Sequence, residues 1–234
     1  MKQLIIISLI VIGIIGGAVA LSGNDDTAQG SPSDNYYGQE NAEVVVTEYG
    51  DFQCPACAQF FPIVKEVKEK YKDQIRFEFK HFPLVQLHPN AIAAHRAAQA
   101  AALQGKFWEM HDLLYQNQNS WESLNISQAN DMFQQYAENL GLDIDRYNED
   151  RKSSDVIGTI NADKGLGDQA GVTGTPGFVI NGELITDTNQ LSTVEGFSEL
   201  IDNALGESNS SSNETSGDAA IQQATPDDTG DGSN

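Results

Sequence analysis

The order of predicted elements in this chain of 234 residues indicates an α/β fold with an all-helical insertion. Three observations support that prediction. A strand, a helix and a second strand follow one another between residues 43 and 82. A helical stretch then occupies about residues 85–170, and a hairpin and a closing helix follow it. The sequence therefore predicts a βαβ unit, which favours parallel pairing, then a helical insert and a ββα unit.

The βαβ unit rests on two different periodicities. Residues 43–49 form a run rich in β-branched side chains, which is typical of a buried strand. Residues 75–82 alternate apolar and polar side chains, which predicts the second strand. The helix between them repeats its apolar residues at three-to-four spacing, and these are Phe60, Phe61, Val64, Val67 and Tyr71.

The insert and the closing unit are predicted from helix-end and turn signals. Pro89 and Asn90 begin an alanine-rich helix, and Ser127 is a candidate N-cap for a later one. Asn181-Gly182 between two short apolar runs is a strong hairpin signal. Residues 193–205 show the pattern of an amphipathic helix. The folded domain is therefore predicted over residues 39–206.

Charge is strongly acidic and unevenly distributed. The 34 Asp+Glu residues outnumber 13 Lys+Arg, and the formal net charge of −21 argues against nucleic acid as a partner. Residues 207–234 contain six acids, no base and mostly small or polar side chains. Such a segment cannot bury enough apolar surface to offset the entropy of ordering, so a disordered acidic tail is predicted.

Residues 1–21 have two interpretations. The 18 residues after Gln3 are almost all apolar and would span about 27 Å as a helix, close to the thickness of a bilayer core. The same segment also fits a cleavable signal peptide, with cleavage near Ala20 and release of a secreted domain. The polar segment 22–38 favours a retained membrane anchor, because a tether is useful to an anchored domain. Either interpretation places the domain outside the cytoplasm.

The two cysteines, Cys54 and Cys57, lie between the first strand and its helix. This spacing brings two sulfurs within bonding range at a helix N-terminus. There the helix dipole and free amides lower the pKa of Cys54, and Pro55 suits the first helical position. The pattern predicts a nucleophilic thiol followed by a resolving thiol.

Two other interpretations of the cysteines have less support. Half of a zinc site would need a second pair of ligands, but no second CxxC exists and the four histidines lack the usual spacing. These histidines are His81, His88, His95 and His111. A structural bridge closing a ring of only four residues would stabilise little. A redox role is favoured, with no metal and no cofactor.

Pro176 precedes the hairpin strand. If the bond from Thr175 is cis, the backbone there offers hydrogen-bonding groups to an extended peptide; an ordinary loop proline is the alternative.

Four stretches of the sequence carry a family resemblance: the CxxC after strand 44–49, residues 80–84, residues 88–115 and residues 173–182. Together they resemble the DsbA-like thiol–disulfide oxidoreductases, which have a thioredoxin fold with a helical insert. The resemblance implies a central mixed sheet, attack at Cys54 and resolution by Cys57. It also implies that Thr175 and Pro176 form a cis-proline loop that contacts substrate. Glu48 matches a partly buried acid of some members and is a candidate proton relay; an exposed acid at the strand edge is the alternative.

The function implied by this resemblance is extracytoplasmic disulfide exchange with cysteine-containing exported proteins. A separate redox partner would reoxidise or reduce the pair, and the N-terminal segment would attach the protein to the membrane. Ala56 replaces the histidine that strong oxidants of the family carry. This change makes the disulfide less oxidising, because the thiolate is less stabilised. A dithiol oxidase is still favoured, while a reductase or isomerase stays open. A non-enzymatic chaperone or metal carrier with the thioredoxin fold is the alternative from another class.

Overall fold

The computed structural model describes residues 30–218, with side chains to Ser208. The predicted anchor or signal peptide, residues 22–29 of the predicted tether and residues 219–234 of the predicted tail lie outside that range. None of the helices within residues 30–218 combines the length and apolar character that a bilayer-spanning segment requires.

Five strands and nine helices make up the described part of the chain. The elements are β1 (Tyr36–Gly38), β2 (Val44–Gly50), α1 (Pro55–Lys70), β3 (Ile75–His81), α2 (Ala91–Ala102), α3 (Phe107–Gln116), α4 (Gln118–Trp121), α5 (Ile126–Asn139), α6 (Ile144–Asp150), α7 (Ser154–Gln169), β4 (Gly177–Ile180), β5 (Glu183–Leu184), α8 (Thr188–Leu191) and α9 (Val194–Asp218). The sheet order is β1-β3-β2-β4-β5, in which β2 runs parallel to β3 and antiparallel to β4. This mixed sheet, with helices α2–α7 inserted between β3 and β4, confirms the predicted fold class.

Strand β2 lies at the centre of the sheet, and its alternation determines what faces α1. Side chains two residues apart share a face, so Glu48 follows Val44 and Val46 towards the same side. Val44, Val46 and the α1 residue Val64 belong to one buried apolar cluster. A second cluster, formed mainly by the helical insert, includes both cysteines. The two cysteines therefore lie where the sheet, α1 and the insert meet.

The folded domain begins before the predicted boundary at residue 39. Tyr36–Gly38 pairs with β3 as an antiparallel edge strand, although its position in segment 22–38 predicted a tether. Upstream of this strand, Ser33 donates from its backbone N and its hydroxyl to the buried Asp163, at 2.8 and 2.6 Å. The polar composition of residues 22–38 gives no indication of these long-range contacts.

Helix α9 continues to Asp218, so residues 207–218 are helical where composition predicted disorder. The helix is anchored by buried Phe197, Ile201 and Ala204. Once such a packed segment has nucleated a helix, each further residue adds one backbone hydrogen bond, and a polar extension can follow.

The insert contains six helices, α2 to α7. Helix α5 is capped by Asn125 and not by Ser127: the Asn125 side chain accepts from Gln128 N, and the Gln128 side chain accepts from Asn125 N. The short helices α4 and α6 are too brief to show a clear period.

Candidate active site

The loop before α1 fixes the position of the first cysteine. Cys54 is the N-cap of α1, and Pro55 is the first helical residue, as predicted. The Cys54 amide donates to the carbonyl of Asp51 at 3.0 Å. From the insert, Gln118 Nε2 donates to the carbonyls of Phe52 and Cys54 at 2.8 and 3.0 Å. Sequence reasoning missed Gln118, which lies more than 60 residues away and belongs to no motif.

The two thiols are free, buried and close to the proline loop. Cys54 is 7% exposed and Cys57 fully buried. The Thr175–Pro176 peptide bond is cis, and Cys54 Sγ lies 3.3 Å from the Thr175 carbonyl oxygen. The structure thus brings together the two cysteines and the two predicted substrate-contact residues.

The two thiols differ strongly in acidity. A hydrogen bond from the Cys57 thiol is the main cause that lowers the pKa of Cys54 to about 5. The Thr175 side chain and the backbone amides of Ala56 and Cys57 also stabilise the thiolate, and together these outweigh burial. Burial, followed by the bond to Cys54 and the charge of Glu48, raises the pKa of Cys57 well above its ordinary value. At neutral pH Cys54 is therefore a thiolate and Cys57 a thiol.

Glu48 is buried in the centre of the sheet, not exposed at a strand edge. Its side chain is 2% exposed, and burial raises its pKa to about 8, although the charge of Lys68 opposes the shift. Its charge also contributes to the raised pKa of Cys57. A carboxyl that stays protonated at neutral pH can donate a proton to a nearby thiolate.

Replacing Glu48 by glutamine is expected to stabilise the reduced protein at pH 7. The folded-state pKa of about 8 lies above the ordinary 4.5, so wild-type stability falls as pH rises between these values. Glutamine removes this penalty, which reaches about 3 kcal/mol at pH 7. Urea unfolding at pH 4 and pH 7 measures the effect; an equal difference at both pH values would contradict it.

Asp51 is a buried carboxylate in the loop of residues 51–54 that precedes α1, called the redox loop below. It links this loop to residues 84–88, which follow β3. Its Oδ1 accepts from Gln53 N, and its Oδ2 from Leu84 N and His88 Nδ1, each at 2.8 Å. Burial disfavours the charge, but the nearby His95 ring and these hydrogen bonds lower the pKa of Asp51 to about 2. Sequence reasoning missed this role, although a carboxylate three residues before the first cysteine was a visible signal.

Buried histidines extend from Asp51 into the insert. His95 Nε2 lies 3.8 Å from Asp51 Oδ1, and His95 Nδ1 lies 2.7 Å from His81 Nδ1. His81 Nε2 is 3.0 Å from Gln99 Oε1, an acceptor, so this nitrogen carries the His81 proton. Burial lowers the pKa of His81 well below its usual range. No group of three or more potential ligands within residues 30–218 is arranged to hold a metal ion.

Replacing Asp51 by asparagine is expected to destabilise the protein. The depressed pKa contributes about 2 kcal/mol that is present above pH 4 and lost as pH falls towards 2. Urea unfolding at pH 7 should show this loss, and the difference from wild type should shrink towards pH 2. Asn90 is also fully buried near this loop but uncharged, so Asn90→Ala should cost stability without that pH dependence.

Apolar surface borders Cys54. A recess of about 220 Å³ is lined by Ala56, Phe60, Thr175, Pro176, Phe178, Thr188 and Leu191. In the segment held by Asp51, Val85 and Leu87 are large apolar side chains exposed at 52% and 73%.

The chain belongs to the thioredoxin family, because the family model described as Thioredoxin matches residues 30–203. Within this family, its fold is that of the DsbA-like proteins. It matches alpha-DsbA1 of Wolbachia pipientis with a TM-score of 0.63 and 23% identity, over 76% of this chain and 94% of that one. It matches BdbD of Bacillus subtilis with a TM-score of 0.61 and 22% identity, over 76% and 97%.

Curated relatives of higher identity carry a different name. Antiporter NhaA 3 of Salinispora tropica, named as a Na(+)/H(+) antiporter, is 41% identical over 149 residues, which are 64% of this chain and 22% of that protein. NhaA 1 of Mycolicibacterium vanbaalenii is 36% identical over 151 residues, 64% of this chain and 23% of that protein. The chain thus spans less than a quarter of the length of these relatives.

Proposed function

We propose that this protein is a thiol–disulfide oxidoreductase that exchanges disulfides with protein substrates through Cys54 and Cys57. One observation carries the proposal: two adjacent thiols of opposite acidity lie at a helix N-terminus beside the Thr175 carbonyl. A structural pair of thiols needs no such asymmetry, whereas a nucleophile and a resolving thiol do. The DsbA-like fold supports the same conclusion.

In the oxidised protein, a substrate thiolate attacks Cys54 Sγ and breaks its bond to Cys57. Cys57 leaves as a thiolate, and because its pKa is high it takes up a proton. A second substrate thiolate then attacks the substrate sulfur of the mixed disulfide, and Cys54 leaves as a stable thiolate. The substrate loses two electrons and the pair gains two, so a separate redox partner must reoxidise it.

Net oxidation is the favoured direction. Ala56 provides no side-chain donor, but the Ala56 backbone amide, the Cys57 thiol and the Thr175 side chain stabilise the Cys54 thiolate without one. A stable thiolate favours the reduced pair and therefore makes the disulfide oxidising. A pKa of about 5 lies between those of thioredoxin, about 7, and DsbA, about 3.5.

Exported proteins in an extended conformation are the proposed substrates. The backbone around Thr175 and Pro176 would hydrogen bond to such a peptide, and the apolar recess beside it would take a side chain. Exposed Val85 and Leu87 would add apolar contact from the other side of the redox loop. We further propose that the domain works outside the cytoplasm, held to the membrane by residues 1–21.

Equilibration of the Cys54–Cys57 pair with glutathione buffers tests the direction of net disulfide exchange. The expected potential of the pair lies between about −270 and −120 mV, the values of thioredoxin and DsbA. A potential below about −270 mV would contradict the dithiol oxidase and favour a reductase. Tight binding of copper or zinc by the reduced pair, without turnover of any thiol substrate, would favour the metal carrier instead.

A further inference from the structure

Two fully buried histidines, His81 and His95, contact each other through their ring nitrogens. His81 Nδ1 lies 2.7 Å from His95 Nδ1, which is the distance of a hydrogen bond. One of these two nitrogens must donate and the other must accept. The partners of the two remaining ring nitrogens decide which of them carries the proton.

Gln99 fixes the proton of His81. Its Oε1 accepts from Asn35 Nδ2 at 3.1 Å and lies 3.0 Å from His81 Nε2. Because an amide oxygen can only accept, His81 Nε2 is the donor, and burial keeps His81 from taking up a second proton. His81 Nδ1 is therefore an acceptor, and the proton between the two rings belongs to His95 Nδ1.

The other nitrogen of His95 faces a carboxylate. Within residues 30–208, His95 Nε2 is buried and forms no hydrogen bond, and Asp51 Oδ1 lies 3.8 Å from it. An unprotonated Nε2 would direct its lone pair at a buried negative charge, which is unfavourable where the dielectric constant is low. A second proton makes His95 an imidazolium that pairs with Asp51. The Phe52 ring, centred 4.9 Å from the His95 ring, also favours a cation there.

We propose that His95 is a positively charged positioning residue that balances Asp51 and thereby stabilises the Cys54 thiolate. The inference rests on the proposed function. Asp51 is attached to both cysteines: its carbonyl accepts from the Cys54 amide at 3.0 Å, and its own amide donates to the Cys57 sulfur. An unbalanced carboxylate three residues before Cys54 would oppose a second negative charge at its sulfur.

Other titratable or charged groups surround His95 and its two partners. They are Cys57 on α1, Lys80 on β3, His88 after β3, His111 and Tyr115 on α3, and Asp163 on α7. His88 needs only one proton to donate to Asp51 Oδ2, so its contact does not require a charge.

Gln99 is the position at which the charge of His95 can be changed without removing a bond of the redox loop. Its side-chain contacts are with Asn35 and His81. Three variants of the full chain test the inference: Gln99→Met, Gln99→Glu and the control Ser33→Ala. Ser33 is buried in the same segment as Asn35, but its hydroxyl donates to Asp163.

The two substitutions of Gln99 should have opposite outcomes. Methionine removes the acceptor, so the His81 proton can move to Nδ1, and His95 can then be neutral with its single proton on Nε2. Glutamate keeps an acceptor for His81 Nε2, so His95 should stay charged.

Two measurements report the result. Nitrogen NMR of the side chain at pH 7 should show both His95 nitrogens protonated in wild type, Gln99→Glu and Ser33→Ala, but only one in Gln99→Met. The midpoint of Cys54 alkylation by iodoacetamide should rise by about one pH unit in Gln99→Met and stay unchanged in the other two variants.

A neutral His95 in the wild-type protein would overturn the inference, and this measurement needs no variant to fold. An unchanged Cys54 midpoint in folded Gln99→Met with a neutral His95 would also overturn it, because Gln99 and His95 would then act on stability alone. Neither readout uses a protein substrate. Absence of disulfide exchange in a wild-type protein with a charged His95 would therefore refute the proposed function alone.

Discussion

Replacing Cys54 by serine is expected to reduce disulfide exchange to the uncatalysed rate. Cys54 is the only cysteine of the described residues with a thiolate at neutral pH, since burial holds Cys57 in its thiol form. A serine hydroxyl cannot form the mixed disulfide. The measurement is recovery of activity by a reduced, disulfide-requiring substrate in the presence of catalytic amounts of protein and an oxidised glutathione buffer.

Cys57→Ser is the matched variant for this experiment. It keeps the nucleophile and removes the resolving thiol, so a mixed disulfide between Cys54 and a substrate or glutathione should accumulate and be visible by mass spectrometry. Equal activity of Cys54→Ser and wild type would refute every redox interpretation of the pair, including the reductase and the isomerase.

The second large effect is the pH dependence of Cys54 alkylation. The thiolate is the reactive form, and the pKa is lowered from 9.0 to about 5. The rate should therefore rise as pH increases through about 5 and stay level to pH 8, where an ordinary thiol is still mostly protonated. The rate of iodoacetamide reaction between pH 3 and 9 measures this midpoint.

Cys57→Ala gives the control for that titration. It removes the thiol whose hydrogen bond does most to stabilise the Cys54 thiolate, so the midpoint should move towards higher pH. A midpoint near 9 in wild type, or no change in Cys57→Ala, would show that the neighbouring donors do not activate Cys54.

Local signals predicted the fold and the place of the two cysteines in it correctly. The alternation of apolar and polar side chains over residues 75–82 predicted β3 (Ile75–His81). Asn181-Gly182 predicted the turn between β4 and β5, where both residues have positive φ. Cys54 and Pro55 occupy the predicted helix positions. These features depend on neighbours within a few residues, and sequence reasoning is reliable at that range.

The hydrogen bonds that hold the loop around Cys54 and Cys57 in place could not be predicted from local sequence. Asp51 and Gln118 act through partners from other elements, and nothing in their local sequence indicates those partners. The burial of Glu48 stayed open for the same reason, because a single acid in a strand can face either the core or solvent. The predicted start of the folded domain was wrong, because long-range contacts such as that of Ser33 with Asp163 order a segment whose polar composition predicted a tether.

The bonds from Gln118 to the carbonyls of Phe52 and Cys54 join parts of the chain separated by 66 and 64 residues. A minimal domain, engineered by joining the end of β3 to Gly174, just before the proline loop, would keep both cysteines and that loop. It would also leave those two carbonyls without their donor and open the inner side of the redox loop to water. The insertion is thus an integral part of the scaffold that holds Cys54 in place, and modular shortening of the protein would have to replace this amide.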